Sequence, residues 1–186
     1  MTVFGLPTEA EINGITYAIR SDFRDILGIL VMMQDPEMTD QDKALAALMI
    51  FFPDFDTIPA EDYEEAVRWC YWFIDGGEEP DRKHGPRLMD WEQDYSLIIA
   101  PVNRVLGYEA RGKEYVHWWT FLAAYKEIGD CTFARVVGIR DKRRRGKKLD
   151  KLDQEFLREN PDLINLKPRY TAADNDLLAE WGGGSK

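Results

Sequence analysis

Histidine and cysteine are scarce in this chain, with two of each among 186 residues. That scarcity removes most kinds of site chemistry. Cys70 and Cys131 stand far apart, among apolar or aromatic neighbours, which excludes a disulfide scaffold and a Cys-based zinc ribbon. Such sparing use of cysteine is compatible with a reducing cytosol. His-Glu-x-x-His, Gly-x-Ser-x-Gly, the P-loop and the dinucleotide glycine pattern are all missing. No zinc-hydrolase helix, nucleophile elbow or phosphate cradle is therefore expected. Long apolar runs are missing too. Ile29–Met33 and Leu45–Phe52 are among the longest, well short of the roughly 20 residues a membrane helix needs. The start, MTVFGLPTEAEING, has no basic cluster and no long apolar stretch, unlike a secretory signal. The expectation is a soluble intracellular protein.

Acidic residues are plentiful, but their placement does not suggest a site. Asp40-x-Asp42 and Asp54-x-Asp56 lack the further ligands and turn glycine of a calcium loop. They read as a helix cap and a loop. Glu61, Asp62, Glu64 and Glu65 fall in the first turns of a helix, where negative charge complements the dipole. No catalytic residue, metal ligand or cofactor site is assigned, and an enzyme is not expected.

What the chain does have is apolar content and unevenly placed charge. Hydrophobic residues make up 45%, enough for a globular core. The net charge is −10, which should repel nucleic acid and anionic membrane. Residues 1–103 hold 21 acidic and 7 basic residues, whereas residues 104–186 hold 13 acidic and 17 basic. An acidic front half is thus joined to a mildly basic back half. Opposite charge at the two ends would also suit head-to-tail self-association.

Glu11-Ile12-Asn13-Gly14-Ile15-Thr16-Tyr17 places Asn-Gly between short alternating runs, the pattern of a tight hairpin. From Ser21 onward the spacing is helical. One helix is predicted over Asp22–Gln34 and stops at Pro36. A second opens at Thr39-Asp40-Gln41-Asp42, a capping box with Asp in place of Glu, and ends near Phe52. A third lies between Pro59 and Gly76-Gly77, with Tyr63, Ala66, Val67, Cys70, Phe73 and Ile74 on one face. Residues 76–89 read as a loop.

A fourth helix is predicted from about Asp90 to Gly107, kinked at Pro101. A fifth spans Lys113–Ile128 and a sixth runs from Phe133 to about Arg145, capped by Asp130 or Thr132. A short helix over Asp150–Glu159 closes at Asn160-Pro161. Lys167–Tyr170 reads as extended, and Thr171-Ala172-Ala173-Asp174 offers a start for a last short helix with Leu177, Leu178 and Trp181. The expected fold is mainly α: a compact multi-helix domain over residues 1–166 with a small N-terminal β-hairpin at about 8–20. Residues 167–186 form a C-terminal tail with a Gly-rich end.

Two features invite a functional reading. Residues 140–151, RDKRRRGKKLDK, hold eight basic residues in twelve. Such density would neutralise several phosphates, yet no aromatics are interleaved as base-stacking requires. A solvated helix end fits better, or an electrostatic dock for an acidic partner or for the chain's own acidic half. Arg143, Arg144, Arg145, Lys147 and Lys148 would be the docking charges. The other feature is Val116-His117-Trp118-Trp119-Thr120-Phe121. Trp118, Trp119 and Phe121 are candidate aromatic anchors, either for a partner or for the core, with the core favoured by the burial preferences of large apolar residues. His117 would sense pH or serve as a structural side chain.

Three stretches carry a resemblance to a known family. They are the Asn13-Gly14 hairpin running into Ile19-Arg20-Ser21-Asp22-Phe23-Arg24, then His117-Trp118-Trp119-Thr120-Phe121, then Phe133–Arg140 leading into Gly146-Lys147-Lys148-Leu149. Over roughly residues 3–167 the chain resembles the Gp15 family of tailed-phage and prophage proteins. The family's His-Trp-Trp-x-Phe is its most specific element. The resemblance implies a tail-assembly chaperone that binds the tape-measure protein, keeps it soluble and helps deliver tail-tube subunits. It implies action in the cytoplasm of the bacterial host and absence from the mature virion. It offers no catalytic residues. The alternatives are a structural tail protein retained in the virion and, less favoured, a nucleic-acid-binding regulator using residues 140–151.

Overall fold

The computed structural model describes residues 5–78 and 85–169. It opens with the expected antiparallel hairpin, β1 (Glu9–Ile12) and β2 (Ile15–Ala18), in which Ile12 pairs with Ile15. Asn13 and Gly14 adopt φ of 48° and 84°, the paired positive values a two-residue turn of this hand requires. One hairpin face, with Ala10, Ile12 and Tyr17, is buried. Two strands alone are marginal in water, and this pair rests on α3 (Tyr63–Ile74).

The helices begin where local capping chemistry places them. α1 (Phe23–Met32) starts at Asp22, whose carboxylate accepts the Arg24 N–H. α2 (Asp40–Phe51) starts at Thr39, whose hydroxyl accepts the Asp42 N–H and donates back to the Asp42 carboxylate. Half of the anticipated capping box is thus formed, with the Asp42 carboxylate taking the Thr39 hydroxyl rather than its backbone N–H. α4 (Tyr95–Leu106) contains Pro101 without ending there, and it stops at Gly107, in the left-handed region. The remaining helices are α5 (Trp118–Lys126), α6 (Thr132–Arg144), α7 (Lys151–Glu159) and α8 (Pro161–Ile164).

α1 packs against α2 and α5, α2 against α3, and α4 against α5 and α6. Their shared core includes Phe23, Ile26, Phe51, Phe73, Ile98, Trp118 and Phe121. A smaller cluster of Val136, Ile139 and Ile164 joins α6 to α8. The fold is mainly helical with a minor hairpin, as the sequence predicts.

Three helix starts differ from the sequence prediction and one short helix is additional, each for a local reason. α4 begins at Tyr95 rather than Asp90, because residues 91–94 form a turn whose N–H groups of Glu92 and Gln93 bond the Asp90 carboxylate. α5 begins at Trp118 rather than Lys113. The chain before it is extended and pairs with the segment preceding α1, Phe23 N–H to Val116 O and Trp118 N–H to Ser21 O. α6 is capped by the Cys131 sulfur, not by Asp130 or Thr132. Asn160-Pro161 does end α7, but Pro161 also opens α8, in keeping with proline's fitness for a first helical turn.

The chain stays bonded to the fold past residue 166, with Lys167 N–H donating to Gln93 Oε1 at 2.9 Å. His84, Tyr170, the last short helix predicted around Leu177, Leu178 and Trp181, and the Gly-rich end lie outside the described residues.

Candidate functional site

The tandem tryptophans and their histidine form a structural lock. His117 caps α5: its Nδ1 accepts the Trp119 N–H at 3.0 Å. With Nδ1 an acceptor, the ring proton sits on Nε2, which donates to Pro7 O at 2.9 Å. One neutral imidazole thus joins the N-terminal segment to a helix start. Burial lowers its pKa below the ordinary value, and the bond to Pro7 opposes this only in part.

The next two residues close the far end of α3. The indole N–H of Trp118 donates to Ile74 O and that of Trp119 to Phe73 O, both at 2.8 Å. These carbonyls belong to the last turn of a helix, where intrahelical donors run out. Gly77, at φ +83°, lets the chain pass beneath Trp119, since a Cβ there would lie 2.8 Å from the ring. Phe121 is fully buried and stacks on Phe23 at 4.6 Å. Trp118 and Phe121 are therefore core anchors rather than partner-facing ones, and Trp119 is half-buried against Trp72 and Phe73.

The basic stretch divides into an inner and an outer part. Arg140 is buried. Its guanidinium pairs with Asp94 at 2.6 and 2.9 Å and also donates to the carbonyls of Leu88, Leu163 and Ile164. Lys142 pairs with Asp153 at the start of α7. Of the predicted docking charges, Arg143 donates to Asn165 Oδ1, while Arg144 and Arg145 share Asp141. Lys147 and Lys148 are exposed, and neither is ion-paired among the described residues. All five project from the end of α6 and the turn after it. No hydrogen bond, ion pair or ring contact among the described residues links them to the tryptophans on α5. The two predicted sets do not form one site.

Part of this basic half serves the chain's own acidic half. Besides Arg140–Asp94, Arg169 pairs with Asp90, which also takes Arg87 from the acidic half itself. Burial opposes the charge on Asp90. The Gln93 N–H and the two guanidiniums outweigh it and hold the carboxyl well below the usual range.

An apolar groove of about 530 Å³ was not foreseen from the sequence. Phe23, Leu27, Val31 and Met32 of α1 line one side, and Trp91 and Tyr95 the other, with Arg24 and Glu92 also in its lining. Its shape has a clear origin. Gly28 stands on the groove side of α1, where a Cβ would meet nothing within 4 Å. The available signal was the excess width of the α1 stripe. Phe23, Ile26 and Ile29 are the helix's buried residues, so Leu27 and Val31, one turn apart, form a second row beside the core-facing one. A smaller hollow of about 340 Å³ lies between the N-terminal segment and Trp69 and has mostly polar walls.

Reactive groups are few. Burial pushes the Cys70 thiol up to about 12. Among the described residues, no three His, Cys, Asp or Glu side chains gather as a metal-binding group. No helix among those residues is long and apolar enough to cross a membrane.

A family model described as "Bacteriophage Gp15 protein" matches residues 5–166. The chain belongs to that family. No curated protein and no solved structure matches it.

Proposed function

We propose that this member of the phage Gp15 family is a tail-assembly chaperone. It binds the tape-measure protein in the host cytoplasm, keeps it soluble and promotes assembly of the tail tube, without remaining in the finished virion. The observation that carries this reading, beyond family membership, is the groove between α1 and the turn that opens α4. Its walls are apolar and half-buried, and its rim carries one charge of each sign. Such a trough suits one face of an amphipathic helix, read by residues at i, i+3, i+4 and i+7. A client helix seating two or three Leu-sized side chains would gain about 1.5–3 kcal/mol for each one fully buried.

The outer basic charges, Arg143, Arg144, Arg145, Lys147 and Lys148, give a second contact for an acidic region of the client or of the tail-tube protein. They also offer a route to self-association with the acidic front half of another copy.

Co-expression with the tape-measure protein tests the proposal. The expected result is a client that aggregates alone but is soluble and co-purifies in the presence of this protein. A client equally insoluble in both cases, with no complex, would refute it. The second reading, a tail protein retained in the particle, is favoured by the density of internal locks. Mass spectrometry of purified particles separates the two. The nucleic-acid reading loses ground because Arg140 and Lys142 are engaged within the fold.

A further inference from the structure

The groove lies where the described chain leaves the fold. Arg169 is anchored at two points. Its guanidinium donates to the Asp90 carboxylate at 2.7 and 3.2 Å and to Gln34 O at 3.3 Å. Asp90 immediately precedes Trp91, and Gln34 stands two residues past Met32, and both Trp91 and Met32 line the groove. Residues 170–186 therefore begin at the edge of an open apolar trough.

Their sequence matches it in character. Leu177, Leu178 and Trp181 are the large aliphatic and indole side chains of this segment, and Leu177 and Trp181 stand four residues apart. Asp174, Asp176 and Glu180 flank them; the two charges of the lining are Glu92 and Arg24, the latter already bonded to Asp22 and to the carbonyls of Ala110, Arg111 and Lys113, so the match is apolar rather than electrostatic. Length is sufficient. Eight Cα steps separate Arg169 from Leu177 and span up to about 27 Å when extended. The ten-residue α1 is only about 15 Å long.

We infer that the chain's own residues 170–186 dock in this groove through Leu177, Leu178 and Trp181. A second copy of the chain is the weaker occupant. The tether gives the segment an effective concentration in the millimolar range, whatever the amount of protein present. Docking stands on the groove and the path of the chain alone. Its regulatory meaning rests on the chaperone reading above: the segment shields the apolar walls until a client helix displaces it.

Hydrogen exchange on the full-length protein tests this. Two full-length variants are compared with the wild type. Gly28→Met fills the trough from a position with open space for its Cβ. Leu177→Asp/Leu178→Asp/Trp181→Asp removes the apolar residues of the segment. In the wild type, amides of residues 174–181 should exchange about tenfold more slowly than in a synthetic peptide of residues 170–186. That protection should be lost in both variants and be unchanged by dilution. In the Asp variant, amides of residues 27–32 and 91–95 should in turn exchange faster.

Exchange of residues 174–181 at the free-peptide rate in the wild type would overturn the inference. So would protection that survives Gly28→Met. Protection that disappears on dilution would assign the groove to a second copy instead. None of these readings involves the client. Failure of the tape-measure protein to bind would therefore leave this result standing, and the reverse holds too.

Discussion

Arg140 and Asp94 face each other as a bidentate pair inside the protein, their side chains 5% and 1% exposed. Every guanidinium N–H of Arg140 has a use, two on Asp94 and three on the carbonyls of Leu88, Leu163 and Ile164. The Asp94 carboxylate also accepts the Asp90 N–H. One side chain thus fastens α6, α8 and the segment leading into α4.

Removing one partner strands the other in a low-dielectric interior. Asp94→Ala and Arg140→Ala should each cost about 3–5 kcal/mol. The double variant should cost clearly less than the two singles added together. Urea unfolding of the three variants measures this. A single substitution costing under about 1 kcal/mol would contradict the role given to the pair.

The neighbouring arginines should behave differently. Arg143→Glu/Arg144→Glu/Arg145→Glu alters exposed side chains that bond the exposed Asn165 and the neighbouring Asp141. Circular dichroism should be unchanged and the urea midpoint little moved. Co-purification with the tape-measure protein should fall, and more so at low salt than at high salt. Loss of helicity would mean these charges hold the fold rather than a partner.

Two glycines give opposite expectations. Gly77→Ala places a methyl 2.8 Å from the Trp119 ring at a φ of +83°, so stability should fall by more than about 1 kcal/mol. Gly28→Ala adds a methyl in open space within α1, so stability should rise by up to about 1 kcal/mol. Thermal melts of the pair compare strain with propensity in one protein.

His117 makes stability depend on pH. Its folded pKa lies below 6.5, so the unfolded chain binds the proton more readily. The stabilisation is complete above about pH 6.5 and is lost as pH falls towards the folded value. His117→Asn keeps a capping side chain without an ionising ring. Its stability relative to wild type should therefore improve as pH drops from 7 to 5. Parallel urea midpoints across that range would remove His117 as the source.

Much of the fold was legible because its signals are local. Asn13-Gly14, the Thr39–Asp42 cap and the stripe from Tyr63 to Ile74 each predict an element from neighbouring residues. The misplaced start of α5 shows the limit. Tyr115 and Val116 have the apolar character of a helix face, and only their pairing with Ser21, Asp22 and Phe23 makes them extended. The buried role of Arg140 was likewise hidden in a run of cations, because its partner lies 46 residues away. The groove was invisible for the same reason, being made of α1 and the turn that leads into α4, which come together only in the folded chain.

The bridge between the start of α1 and the start of α5 bears on how the protein is made. Val116 N–H bonds the Asp22 carboxylate across 94 residues, and the ring of His117 holds Pro7 across 110. A ribosome adds about 5–20 residues per second, so some 5–20 s pass between synthesis of Asp22 and of Val116. Throughout that interval the hairpin can rest on α3 and α1 on α2, but α1 lacks its α5 neighbour and the last turn of α3 lacks the indole donors of Trp118 and Trp119. The His-Trp-Trp stretch is thus a late-arriving keystone. A nascent chain arrested before it clears the exit tunnel should remain sensitive to protease along its whole length, and become resistant in one step once it emerges.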